Sequence, residues 1–190
     1  LLAGPESLHT VCKVFQERHA ADLVVGNVRM IDEDDREIQA PILINTLDDR
    51  AFQKRLPGMD RVCLIAQPAC FFRRHVWEKL GIAPYYYSLD WYFWIEAYKA
   101  SYTFFKTETC LAAMRQHPEA KTVIAGLAKY REVLSIYRKN RVWCLNRVYY
   151  YIYFWLLYLE TWPVAGPAFR KLLPIGKKVR NSLINRFRLY

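Results

Sequence analysis

The sequence predicts an α/β domain followed by a basic helical extension. Three observations carry this expectation. Along the first two-thirds of the chain, segments with a helical apolar period alternate with short runs rich in Val, Ile and Phe, the pattern of helices packed on a sheet. The charge is split: residues 1–125 hold 15 Lys and Arg against 16 Asp and Glu, whereas residues 126–190 hold 13 against 2. The last third also carries a run of 12 apolar residues, Val148 to Leu159, dominated by Tyr. The boundary is therefore set between a nearly neutral domain over 1–125 and a basic aromatic extension over 126–190.

The elements are assigned in chain order. Pro5 to His19 reads as a helix, with Pro5 in its first turn and Leu8, Val11, Cys12 and Phe15 on one face. Asp22 to Ile31 is strand-like, and the acidic Asp32–Arg36 stretch reads as the solvated tip of a hairpin closed by a short strand, Glu37–Ile38. Four acids in five residues suggest a metal loop, but the Gly and terminal Glu of a calcium-binding loop are missing. Residues 40–62 form a long irregular connection broken by Pro41, Pro57 and Gly58, within which Asp48-Asp49 reads as a helix start. Tyr102–Thr107 and Thr109–Met114 read as two short strands, and Leu127–Arg147 as a helix.

The stretch from Ile65 to Lys99 organises the chain. An apolar segment with a polar handle, Gln67, runs through Phe71 and Phe72 into a short helix, Arg74–Leu80, stopped by Gly81. Asp90 then opens a second helix inside a cluster of rings: Tyr85, Tyr86, Tyr87, Trp91, Tyr92, Phe93 and Trp94. A carboxylate among rings can act as a general base, because burial raises its pKa towards working pH. The other reading of Asp90 is a helix N-cap. Further on, Arg115 and His117 sit where a strand ends; an Arg can face a diphosphate with a forked contact, and a His with a hydrogen bond or a metal bond. The other reading of His117 is a surface loop histidine.

These segments resemble family 2 glycosyltransferases of the GT-A fold. The matching residues are Gln67-Pro-Ala-Cys-Phe71-Phe72-Arg73-Arg74, Gly81, Asp90-Trp91-Tyr92-Phe93-Trp94-Ile95, and Arg115, His117, Ala120, Lys121 and Thr122. Upstream, Leu1 to Leu8 and then Asp22-Leu-Val-Val-Gly26-Asn27 match the family's segments downstream of the metal-binding Asp-x-Asp motif, with Asn27 in place of a frequent Asp. The resemblance covers about residues 1–125. It implies a partial GT-A (Rossmann-like) domain that begins after that motif and lacks the N-terminal nucleotide-binding half.

It also implies an activity: transfer of a sugar from a nucleotide-sugar donor to a hydroxyl of a glycan or lipid-linked acceptor, with inversion, in cell-surface polysaccharide synthesis. Asp90 would be the catalytic base, Gln67, Phe71, Trp91 and Trp94 would contact substrate, and Trp91 and Trp94 could instead simply pack. Arg115 and His117 would face the leaving diphosphate. The family implies a divalent cation, Mg or Mn. Its main aspartates are not in this chain, and His117 is the one metal candidate. The fragment by itself is expected to be inactive.

The five cysteines are an odd number with no C-x-x-C pair, which argues for a reducing compartment and against a disulfide framework or a zinc site. The apolar run is shorter than the roughly 20 residues a spanning helix needs. Tyr and Trp favour the membrane–water interface, and cations flank the run from Arg138 to Arg188. The expectation is a cytoplasmic protein, peripheral on the cytoplasmic face of the membrane, that meets an anionic surface through residues 138–190. The alternatives are a helical hairpin packed on the main domain or, for the whole chain, a non-catalytic membrane-surface or partner-binding module. Nucleic acid is not an expected partner, since no RNP, KH or zinc signature is present.

Overall fold

A computed structural model describes residues 1–38, 47–115 and 125–160, together with Pro174. The chain divides into two compact units, Leu1–Met59 with Cys63–Ala120, and Asp60–Val62 with Lys121–Tyr190. In the first unit the order is α1 (Glu6–Glu17), β1 (Leu23–Ile31), β2 (Glu37–Ile38), α2 (Asp49–Arg55), β3 (Cys70–Phe72), α3 (Arg74–Leu80), α4 (Leu89–Lys99) and β4 (Phe104–Arg115). Single 3-10 turns cover Leu56–Gly58 and Gln67–Ala69. The second unit holds α5 (Gly126–Lys139) and α6 (Leu145–Glu160). The fold is thus mixed α/β, with a small mixed sheet.

The sheet is built around β1. Leu23, Val24, Val25 and Val28 are all buried, as a strand covered on both faces requires. β4 runs parallel to β1 along its whole length, from Phe104 opposite Leu23 to Arg115 opposite Ile31. The other edge of β1 is shared by two short antiparallel strands. Cys70, Phe71 and Phe72 of β3 pair with Val25, Val24 and Leu23, and β2 pairs with Met30 and Ile31. The 32–36 turn is closed by Asp32, whose carboxylate accepts from Asp34 N and Arg36 N, both at 2.9 Å, with Asp35 at φ 65°. The acidic run is the tip of a hairpin.

Side chains alternate across the sheet. One face carries Val24, Val28, Leu111 and Ala112, packed with Val11 of α1, and Phe71 lies against this cluster. The opposite face carries Phe72, whose ring lies 5.2 Å from Phe93 and 6.2 Å from Trp94 of α4.

Two expectations are corrected. Residues 104–115 form one strand where two were expected, and the break between the expected pair is a bulge. Val25 faces Lys106, Asn27 faces Cys110 and Val28 faces Ala112, so β4 gains residues that β1 does not match. Leu111 is one of them, and its side chain folds onto Gly26: a Cβ built there would lie 2.3 Å from Leu111 Cγ. The helix expected over 127–147 is two helices. α5 stops because Arg141 adopts φ 54° and closes a Schellman motif, with Val142 N donating to Tyr137 O at 3.0 Å and Arg141 N to Arg138 O at 3.1 Å. The apolar run therefore belongs to α6. α5 and α6 meet through tyrosines: the Tyr130 ring is 5.5 Å from Tyr150 and 5.0 Å from Tyr153.

Gly26→Ala should lower stability by about 1–3 kcal/mol, as overpacking does in a closed core. Gly4→Ala, where the added methyl meets no atom within 4 Å, should leave the urea midpoint nearly unchanged. In the second unit, Arg141→Gly should stabilise by about 1 kcal/mol, because glycine carries no left-handed penalty. A rise in the thermal midpoint checks the latter.

Candidate active site

Asp90 lies in the first turn of α4, after the cap residue Ser88. The N-cap position therefore falls to Ser88, two residues before the carboxylate. Asp90 is half-buried, and its Oδ1 accepts from Trp91 N at 2.8 Å. The helix forms here because Ser and Asp favour a helix start, and an almost uninterrupted apolar run comes after them. The indole N–H of Trp91 donates to Met59 O at 2.7 Å, which ties the start of α4 to the chain after α2. Around it the rings of Tyr85 and Tyr92 are 5.0 Å apart, and those of Tyr86 and Tyr87 also 5.0 Å. Tyr86 is 64% exposed. Desolvation first, and the charge of Asp90 second, push the Cys63 thiol up.

The residues named beside Asp90 are distributed unevenly. Trp91 and Trp94 are only 6% and 3% exposed, and both indoles pack in the interior. Gln67 is exposed at the start of its 3-10 turn. Phe71 faces α1, across the sheet from the side on which Phe72 meets α4. Arg115 holds the hairpin tip: its guanidinium donates to Glu33 O at 2.6 Å and Asp32 O at 3.3 Å, and pairs with Asp35 at 2.6 Å. His117, with Lys121 and Thr122, lies outside the described residues. Among the described residues no group of three or more His, Cys, Asp or Glu could hold a metal ion. The one metal candidate, His117, is not among them, and no step of the proposed chemistry runs through a divalent cation.

The sequence reading missed a buried lysine. Lys106 is 2% exposed, on the face of β4 opposite α1, with its Nζ donating to Asn27 Oδ1 and, at 2.6 Å, to Thr107 O. Asn27 in turn donates to Glu108 O at 2.6 Å, and Asp49 of α2 accepts from Lys106 N at 2.8 Å. Desolvation lowers the Lys106 pKa to about 8, against the smaller opposing pull of Glu108 and Asp49. A signal was present: Lys106 shares strand parity with the core residue Phe104. A second missed pair is His75 with Asp22, Nε2 to Oδ1 at 2.9 Å, beside an open cleft of about 690 Å³ lined by Cys12, Arg73 and Glu78 among others.

No protein-family model, curated protein or solved structure matches this chain.

The buried lysine gives a pH signature. Between its folded value of about 8 and its ordinary 10.5, the unfolded chain binds a proton that the folded chain has released. Stability should therefore rise with pH across that window and level off above it. Lys106→Met should flatten this part of the stability–pH curve, measured by urea unfolding at a series of pH values.

Proposed function

We propose that this chain is the acceptor-side half of a family 2 glycosyltransferase domain of the GT-A fold. One observation carries the reading: a half-buried carboxylate, Asp90, stands in the first turn of α4 within a ring cluster.

In this reading Asp90 takes the proton of the acceptor hydroxyl as its oxygen attacks the anomeric carbon of a nucleotide-sugar. The new C–O bond forms as the bond to the diphosphate breaks, and the nucleoside diphosphate leaves with the electron pair. In-line attack inverts the anomeric centre. The Trp91 backbone N–H donates to Asp90 Oδ1 and so helps to orient the carboxylate. Exposed Tyr86 offers a ring for a sugar face, while Trp91 and Trp94 shape the wall behind it. The reading assigns Arg115 and His117 to stabilising the leaving diphosphate; the Arg115 guanidinium already holds Asp35 and the carbonyls of Asp32 and Glu33. The acceptor is a glycan or a lipid-linked glycan, and the donor half of the domain lies outside this chain.

The test is Asp90→Asn in the full-length protein, assayed for sugar transfer from a panel of nucleotide-sugars. Turnover should fall about 10²-fold or more, the scale of general base catalysis, with the melting midpoint retained. Transfer at the unaltered rate would remove Asp90 from the chemistry.

A further inference from the structure

The second unit presents two different faces of one helix. On α6, Tyr149, Tyr150 and Tyr153 point to one side, and Tyr150 and Tyr153 meet Tyr130 of α5. Val148, Tyr151, Ile152, Trp155 and Tyr158 are exposed, and at 100° per residue they fall within an arc of about 120° on the opposite side. Tyr151 is 56% exposed, Ile152 55% and Trp155 43%. Their rings are in contact: Tyr151 to Trp155 at 6.3 Å and Trp155 to Tyr158 at 5.5 Å. The exposed arc is therefore a continuous apolar ladder rather than scattered side chains. At its N-terminal end Trp143, largely in solvent, carries the Arg147 guanidinium 4.7 Å above its ring.

We propose that this face of α6 docks on the headgroup layer of an anionic membrane, lying in the plane of the surface. The chemistry selects that occupant. The 16-residue helix is about 24 Å long, shorter than the roughly 30 Å hydrocarbon core, and among the described residues no helix is long and apolar enough to cross a membrane. Trp and Tyr combine an apolar body with a polar tip, which suits the headgroup boundary. Residues 126–190 hold 13 Lys and Arg against 2 Asp and Glu, which complements anionic lipid. The net positive charge of this part of the chain also opposes pairing with a second copy of it. This surface stands independently of the sugar-transfer chemistry.

The full chain is mixed with vesicles of phosphatidylcholine alone or with phosphatidylglycerol added, and bound protein is read by co-sedimentation and tryptophan emission. The expected result is binding to the anionic vesicles, with a blue-shifted emission, weakened by salt as the Debye length shrinks. The double variant Ile152→Glu/Trp155→Glu should lower the apparent partition coefficient about ten-fold or more, with the melting midpoint unchanged. Tyr151→Ser should lower it less. The proposal is overturned if neither protein binds, or if the double variant binds as tightly as the parent. It is also overturned if the double variant loses cooperative melting, which would make the face internal packing. Dissociation of a dimer by the same variant in sedimentation equilibrium would assign the face to self-association.

Discussion

The sheet depends on a contact that only glycine permits. β1 bonds to every other described strand, so any distortion in it reaches them all. Leu111 sits where a Cβ at position 26 would be. That space lets β4 carry extra residues beside β1 without leaving a cavity, because the bulged side chain fills the gap. The bulge displaces peptide groups from the ladder, and side chains supply donors to their carbonyls. Asn27 supplies one to Glu108 O, and the Lys106 amine supplies one to Thr107 O. The buried cation is thus explained by backbone accounting: it serves the irregular strand that Gly26 makes possible.

Most elements were legible because their signals are local. Alternation and β-branching mark β1, Asp48 marks α2 by accepting from Ala51 N at 2.7 Å, and Gly81 marks the end of α3 with φ 67°. The failures share a different cause. Schellman closures normally carry glycine at the left-handed position, yet α4 ends on Ser101 at φ 63° and α5 on Arg141 at φ 54°. Nothing in the run from Leu127 to Arg147 announces the break, so one long helix is the natural reading. The bulge in β4 was hidden for the same reason: its counterpart, Gly26, lies about 85 residues earlier in the chain.

The candidate site was legible in part. Asp90 stands out because it is the one acid among the rings from Tyr85 to Trp94, and a helix start there is dictated by the apolar run after it. What the rings do was ambiguous, although α4 is apolar nearly all round, and such helices are buried. Trp91 and Trp94 obey that rule. The separation of Phe71 from Phe72 was readable from strand alternation alone, since neighbours on a strand face opposite sides. Which face would meet α4 was not, because that depends on where the chain returns.

The two indoles of α4 are accommodated in different ways. A buried indole N–H without an acceptor costs about 1–3 kcal/mol. Among the described residues Trp94 Nε1 is buried and has no hydrogen-bond partner, whereas Trp91 Nε1 is satisfied by Met59 O. The favourable bond sits next to Asp90, and the unsatisfied group one turn further on. The start of α4 is therefore pinned by a directional bond, while the next turn is held by packing against Phe72 and Phe93. A general base must stay within hydrogen-bond reach of the proton it accepts, so fixing its backbone matters more than fixing the rest of the helix. In the proposed reading the Trp91–Met59 bond does that for Asp90.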